Sequence, residues 1–274
     1  MQEVRGSIPL SSTTMSVARI DGLSLDIQFN HGWVEFSELV ELALLAERAG
    51  FDTVWVADHL SGRSMNAPSM PECFTTLGGL AAATSTIGLG SLVANSQLRP
   101  PALLANAAAT LQQMSGGRFT FGIGAGASPT SPFATELTAA GLDIPATLAE
   151  RHATLVDHIE FIKGVWSDDR DERFTGFPLP QPRPKIVVGV NSPELARLAV
   201  RHADGLNVRA SHPKVDEILA IAEGQIESSV WVTLDSGLLD ADDERIRAWS
   251  AKGVQRVVAV MTGRPDKSLL TERC

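Results

Sequence analysis

Glu38-Leu39-Val40-Glu41-Leu42-Ala43-Leu44-Leu45-Ala46-Glu47-Arg48-Ala49-Gly50-Phe51-Asp52-Thr53-Val54-Trp55-Val56-Ala57-Asp58-His59 carries two periodicities in succession. Leu39, Val40, Leu42, Ala43, Leu45 and Ala46 recur at helical spacing, and Gly50 is the residue type that ends a helix in the left-handed conformation. The apolar, β-branched run 53–57 then reads as a buried strand. A helix feeding a buried strand through so short a connection is part of a repeating βα unit, and the pattern recurs on both sides of it. Strands are expected at 23–29, 53–57, 86–93, 118–124, 185–190, 205–208, 230–235 and 255–260, and further helices at 72–83, 101–114, 151–166 and from Pro193. Eight such strands are the number that closes a parallel (β/α)8 TIM barrel.

Composition agrees with one folded domain. The chain has 274 residues, 44% of them hydrophobic and 20% charged, with a formal net charge of −9. An acidic chain repels phosphate backbones, so the expected partner is a small-molecule substrate, with no nucleic acid and no membrane. Residues 1–17 are polar and read as a disordered leader, with the barrel domain occupying 18–274. The uncharged run from Cys73 to Leu98 has the length of a membrane span, but Gly78, Gly79, Thr84, Ser85, Thr86 and Gly88 make it too polar, and it divides better into a buried helix and a buried strand. Cys73 and Cys274 form no C-x-x-C pair, and a reducing cytoplasm is the expected location. There is no tyrosine to serve as a general acid.

In a barrel of this type the carboxyl ends of the strands build the active site, which turns strand boundaries into a shortlist. The second strand ends in Asp58-His59, the third in Val93-Ala94-Asn95, the fourth in Gly124-Ala125-Gly126-Ala127-Ser128 and the fifth in Gly189-Val190-Asn191-Ser192. A histidine beside a carboxylate can move a proton near neutral pH; the same pair also serves as a loop cap and packing residue. Glycines 122, 124 and 126 either admit a flat ligand or permit tight barrel packing, and Pro129 stands where a dinucleotide fingerprint needs its last glycine. Ser192 and Pro193 read as the cap and first residue of a helix whose free N–H groups suit a phosphate. Arg99 and Arg118 are the only charges between Cys73 and Thr135, and Arg151 opens a helix from which it can reach an anionic tail. His152 and His158 do not share a helix face, so no metal site is expected.

Three segments in this order, 46–59, 83–90 and 111–126 with its Ser115-Gly116-Gly117-Arg118 turn, together with Ala203-Asp204-Gly205, resemble the bacterial luciferase-like barrel oxidoreductases over roughly 23–210. That family uses the deazaflavin F420 or flavin mononucleotide (FMN). The resemblance implies an F420-dependent hydride transfer to or from a small organic substrate. The alternatives are an FMN-dependent luciferase-like monooxygenase and a non-catalytic cofactor-binding relative.

It also implies site roles. Asp58 and His59 match the catalytic pair, with His59 handling the proton. Leu92 and Val93 match a non-prolyl cis peptide behind the ring, followed by Asn95. Gly124, Ala125 and Gly126 flank the ring or its ribityl chain, Gly189, Asn191 and Ser192 hold the phosphate, and Arg151 reaches the cofactor. Leu60, Phe74, Leu92 and Phe133 are expected to line an apolar mouth, and a homodimer paired through barrel helices is expected. The chain departs from the family at Ala127, where some members carry a glutamate acid. The fifth-strand loop also lacks the family's usual paired glycines, and only 14 residues follow Val260, which points to a shortened C-terminal part.

Overall fold

Every strand pairing in the sheet is parallel, and the pairings close into a ring. The computed structural model describes residues 22–235, 237–238 and 243–271, so the leader expected at 1–17 lies outside the described residues. The strands are β1 Ser24–Phe29, β2 Thr53–Val56, β3 Gly88–Ser91, β4 Ala94–Asn95, β5 Phe119–Gly124, β6 Lys185–Val190, β7 Gly205–Arg209, β8 Glu227–Thr233 and β9 Arg256–Met261. β3 and β4 are two pieces of one strand, broken at the cis peptide Leu92–Val93, and both pair with β5. The result is a closed eight-stranded TIM barrel in one domain.

The helices between strands are α1 Phe36–Ala49, α2 Cys73–Ala83, α3 Pro101–Met114, α4 Ala134–Ala139, α5 Leu148–Val165, α6 Pro193–His202, α7 Val215–Ala222 and α8 Glu244–Ala251, with α9 Ser268–Thr271 after the last strand. Their ends follow local chemistry. Gly50 ends α1 at φ 89°, and its N–H returns to the carbonyls of Ala46 and Glu47. Thr147 and Glu150 form a reciprocal capping box on α5, and the Ser192 hydroxyl accepts the Leu195 N–H at the start of α6. After the last strand, α9 is a single turn packed against α1, and β9 completes the ring. No helix among the described residues is long and apolar enough to cross a membrane, and Cys73–Leu98 divides into α2 and β3–β4.

Arg118 does not reach solvent as a lone surface cation. Its guanidinium donates to the carbonyls of Ser115, Ile87, Ala81 and Thr84 and to the Thr84 hydroxyl, at 2.6–3.1 Å, tying α2, β3 and β5 together. Inside the barrel, the amino-terminal end is filled by a polar plug. Buried Asp26 accepts from Trp55 Nε1 at 2.6 Å and from Arg256 at 2.5 Å, and Arg256 also donates to Glu227 at 3.0 Å. Above it lies an apolar interior layer of Trp55, Val258 and Val260, with Leu92 and Trp231 half-buried against it. The other end, where Leu60 and Phe133 are exposed to solvent, is the open one.

Candidate active site

The open end gathers the tips of β2, β4, β5 and β6, which are neighbours in the ring. Asp58 is buried, and both its oxygens are committed. Oδ2 accepts the Asn95 N–H at 2.8 Å and Arg99 Nη1 at 2.7 Å, and Oδ1 accepts Arg99 Nη2 at 2.9 Å. Arg99 is thus a two-pronged clamp between the second and third strand ends, steadied by Glu72 at 2.6 Å and by the Phe74 ring beneath it. Phe74 packs into the wall with Phe119 and Phe121, a correction to its expected place at the mouth; Leu60 and Phe133 are exposed there and Leu92 is half-buried.

His59 is held from a residue that sequence reading missed. Its Nδ1 lies 2.7 Å from Oε1 of Glu136 in α4, a buried side chain. Oε2 of Glu136 accepts the N–H groups of Leu60 and Ser61, each at 3.0 Å, and the Ser64 hydroxyl at 3.2 Å. A carboxylate only accepts, so this contact keeps the proton on Nδ1 and leaves Nε2 as the exchangeable position. Phe133 packs over the imidazole with ring centroids 5.6 Å apart. No local signal in the sequence links Glu136 to His59, because the pairing spans 77 positions. A second missed residue is His31, just after β1. Its Nε2 donates to the Pro71 carbonyl at 3.1 Å, and burial holds its pKa below the ordinary value.

The glycines at the strand ends make room for protein first. A Cβ on Gly122 would lie 1.9 Å from the Ser91 carbonyl oxygen, and one on Gly124 would lie 2.7 Å from a Val93 methyl. Gly189 approaches the same Val93 side chain, so Val93 fills the space between β5 and β6. Gly126, at φ 73°, admits the Gln97 side chain, which donates to the carbonyls of Ala125 and Ala127 at 3.3 Å. Arg151 is buried and donates to the carbonyls of Pro145 and Ala146 at 3.1 and 3.5 Å. Asn191 and Ser192 stand at the start of α6, where buried His152 has neither ring nitrogen hydrogen-bonded among the described residues and lies 4.0 Å from Glu194. Burial depresses the His152 pKa, so the ring is neutral near pH 7.

Several buried polar atoms near the carboxyl ends of the strands have no hydrogen-bond partner among the described residues, namely Asn30 Oδ1, Ser96 Oγ, Gln97 Oε1 and both nitrogens of His152. Buried polar groups are ordinarily paired, so each is an atom that a polar-edged ligand would complete. A nucleotide-like cofactor with an apolar ring face fits these residues over the half-buried Leu92 and Trp231.

Comparison with known proteins agrees. Residues 14–222 match the family model described as luciferase-like monooxygenase. The 5,10-methylenetetrahydromethanopterin reductase of Archaeoglobus fulgidus is 29% identical over 245 residues, covering 86% of this chain and 70% of the reductase. The F420-dependent glucose-6-phosphate dehydrogenase of Nakamurella multipartita is 32% identical over 184 residues, covering 62% of this chain and 51% of that enzyme, so the chain spans about half the length of that relative. An F420-dependent secondary alcohol dehydrogenase, solved with an F420-acetone adduct, superposes with a TM-score of 0.69 at 17% identity over 90% of this chain and 96% of that one. The F420-dependent tetrahydromethanopterin reductase of Methanopyrus kandleri gives 0.66 at 18% identity, over 92% and 96%. These two share the barrel; the sequence match carries the kinship, and the chain belongs to the luciferase-like monooxygenase family.

Proposed function

We propose that the chain is an F420-dependent oxidoreductase acting on a small organic substrate. The observation that carries this is His59 at the open end of the barrel, fixed through Nδ1 by the buried Glu136 carboxylate. Bound F420 supplies the carbon that gives or takes a hydride. His59 Nε2 holds or releases the proton that the substrate heteroatom exchanges in the same reaction. Asp58 positions rather than reacts, because Arg99 and the Asn95 N–H occupy its oxygens. Leu92, Val93 and Asn95 shape the floor under the ring, and Gly124, Ala125 and Gly126 border it. The unpaired atoms of Asn30, Ser96 and Gln97 take its polar edge. Gly189, Asn191 and Ser192, with His152, take the phosphate at the start of α6. Arg151 holds the loop before α5 and so shapes that wall.

Pairing into a homodimer belongs to the same proposal. Phe36, Leu103 and Met114 are exposed on α1 and α3, and the Phe36 and Met114 side chains lie against Gly79 and Gly78 of α2 between them. Sedimentation at micromolar concentration tests it; a single monomeric species overturns it.

Anaerobic titration with F420 and with FMN, followed by absorbance, tests the cofactor. Saturable binding of F420 and weaker binding of FMN is expected; the reverse order favours the FMN monooxygenase. His59→Ala is expected to lower turnover by about a hundredfold or more while F420 affinity changes little. Unchanged turnover removes the assigned role, and tight F420 binding with no oxidation of reduced F420 by any enone, imine or ketone favours a non-catalytic carrier.

A further inference from the structure

The sixth strand of the barrel, β7, ends in an arginine, Arg209, that pairs with no carboxylate among the described residues. Leu206 and Val208 face the layer between sheet and helices, whereas Asn207 points into the barrel and donates to the Ser229 hydroxyl at 2.9 Å. The period of two puts Arg209 on that same inner face, at the open end, where it is exposed. Its guanidinium lies over the Trp231 ring at 5.0 Å from the centroid, and Trp231 rests on the interior apolar layer. Among the described residues Arg209 makes no ion pair and no side-chain hydrogen bond, in a chain with a net charge of −9. Stacking fixes the guanidinium plane while leaving its N–H fork unused. In the closed ring β7 is four strand steps from β2 in either direction, so Arg209 stands across the mouth from His59, Leu60 and Phe133.

We infer that Arg209, seated on Trp231, is an anion-binding subsite for the substrate, which therefore has an apolar body and a terminal carboxylate or phosphate. The head group engages the guanidinium fork, and the body crosses the opening toward the apolar rim at Leu60 and Phe133, bringing its reactive carbon between the two walls. The reaction assigned to that carbon rests on the proposed function; the anion site itself does not. A cofactor phosphate has the same chemistry as the substrate's head group, but α6 with its unpaired His152 already offers a place for it.

Calorimetric titration of hexanoate, hexyl phosphate and 1-hexanol into the wild-type chain, with and without saturating F420, tests the inference. Both anions are expected to bind and the alcohol to bind more weakly. Arg209→Gln should weaken the anions by about tenfold or more, with F420 affinity unchanged. Arg209→Lys should fall between, since it keeps the charge and loses the fork. Anions that bind Arg209→Gln as tightly as wild type, or that fail to bind wild type under both conditions, overturn the subsite. A loss of F420 affinity in Arg209→Gln hands the arginine to the cofactor and overturns the substrate assignment. Failure of F420 to bind the wild-type chain counts against the proposed function alone, because the anion titration without F420 still decides this site.

Discussion

Glu136 meets four donors with two oxygens: His59 Nδ1, the Leu60 and Ser61 amides and the Ser64 hydroxyl. Glu136→Gln keeps the shape but replaces one acceptor oxygen with a donor, so either His59 Nδ1 or the Leu60 and Ser61 amides lose a partner. The expected result is a fall in kcat/KM between about tenfold and a hundredfold, as for other residues that orient a reactive group. Thermal unfolding should report a loss of about 2 kcal/mol from unpaired amides. A fall in stability with no change in kcat/KM would make Glu136 a loop anchor only. Asp58 calls for the opposite signature. Asp58→Asn breaks the Arg99 fork while Glu72 still holds one guanidinium nitrogen. Removing one partner of a largely buried pair costs about 3 kcal/mol, so the urea midpoint should drop well before any proton-transfer step is affected.

The third strand shows how far an element can be read from its own residues. Its existence and position follow from the run 86–93, as do the other seven strands from theirs, because buried parallel strands write themselves as short apolar stretches. Its break into β3 and β4 does not follow from the residues Ser91-Leu92-Val93-Ala94 alone; the cis peptide found at Leu92–Val93 is expected there only through the family resemblance. What fixes the break is supplied by other elements: Gln28 of β1 donates to the Leu92 carbonyl at 3.2 Å, the Ser91 hydroxyl donates to the Gly122 carbonyl at 2.7 Å, and Asp58 takes the Asn95 N–H. The same reason hid Glu136 and the partner of Arg99, which stands out in the sequence only as an isolated charge. The end of β2 locates Asp58 and His59, but the groups that orient them arrive from remote segments, and no local pattern announces the pairing. The glycines of β5 are legible only as glycines; the Val93 side chain decides that Gly122 and Gly124 serve packing against the bulge. Gly122→Ala is expected to cost about 3 kcal/mol or more, since the added methyl meets a backbone carbonyl that the ring of strands prevents from moving. Gly141→Ala, at φ 70° with open space around it, should cost less. Equal losses in denaturant titration would show that the third-strand contact yields freely.

At the scale of the barrel, the two ends carry opposite pH dependences. At the closed end, burial pushes the Asp26 carboxyl up from 3.8 to about 6, even with Arg256 beside it, because desolvation outweighs the attraction. Between those values the folded chain keeps a proton that the unfolded chain releases. Asp26 therefore contributes stability that is present at low pH and lost as pH rises from 3.8 to about 6. At the open end, burial holds His31 and His152 below 6.5. There the unfolded chain takes up protons first as pH falls, so these two contribute stability that is present above 6.5 and lost on acidification. Above pH 7 none of the three titrates, and stability should be level with respect to them. Single variants separate the signs. The difference in unfolding free energy between wild type and Asp26→Asn should grow in favour of wild type as the pH is lowered from 7 toward 4.5, and the difference from His152→Gln should shrink over the same interval. Urea titrations at a series of pH values measure both; parallel curves for wild type and Asp26→Asn would mean that the plug carries an ionised aspartate throughout, with Arg256 winning over burial.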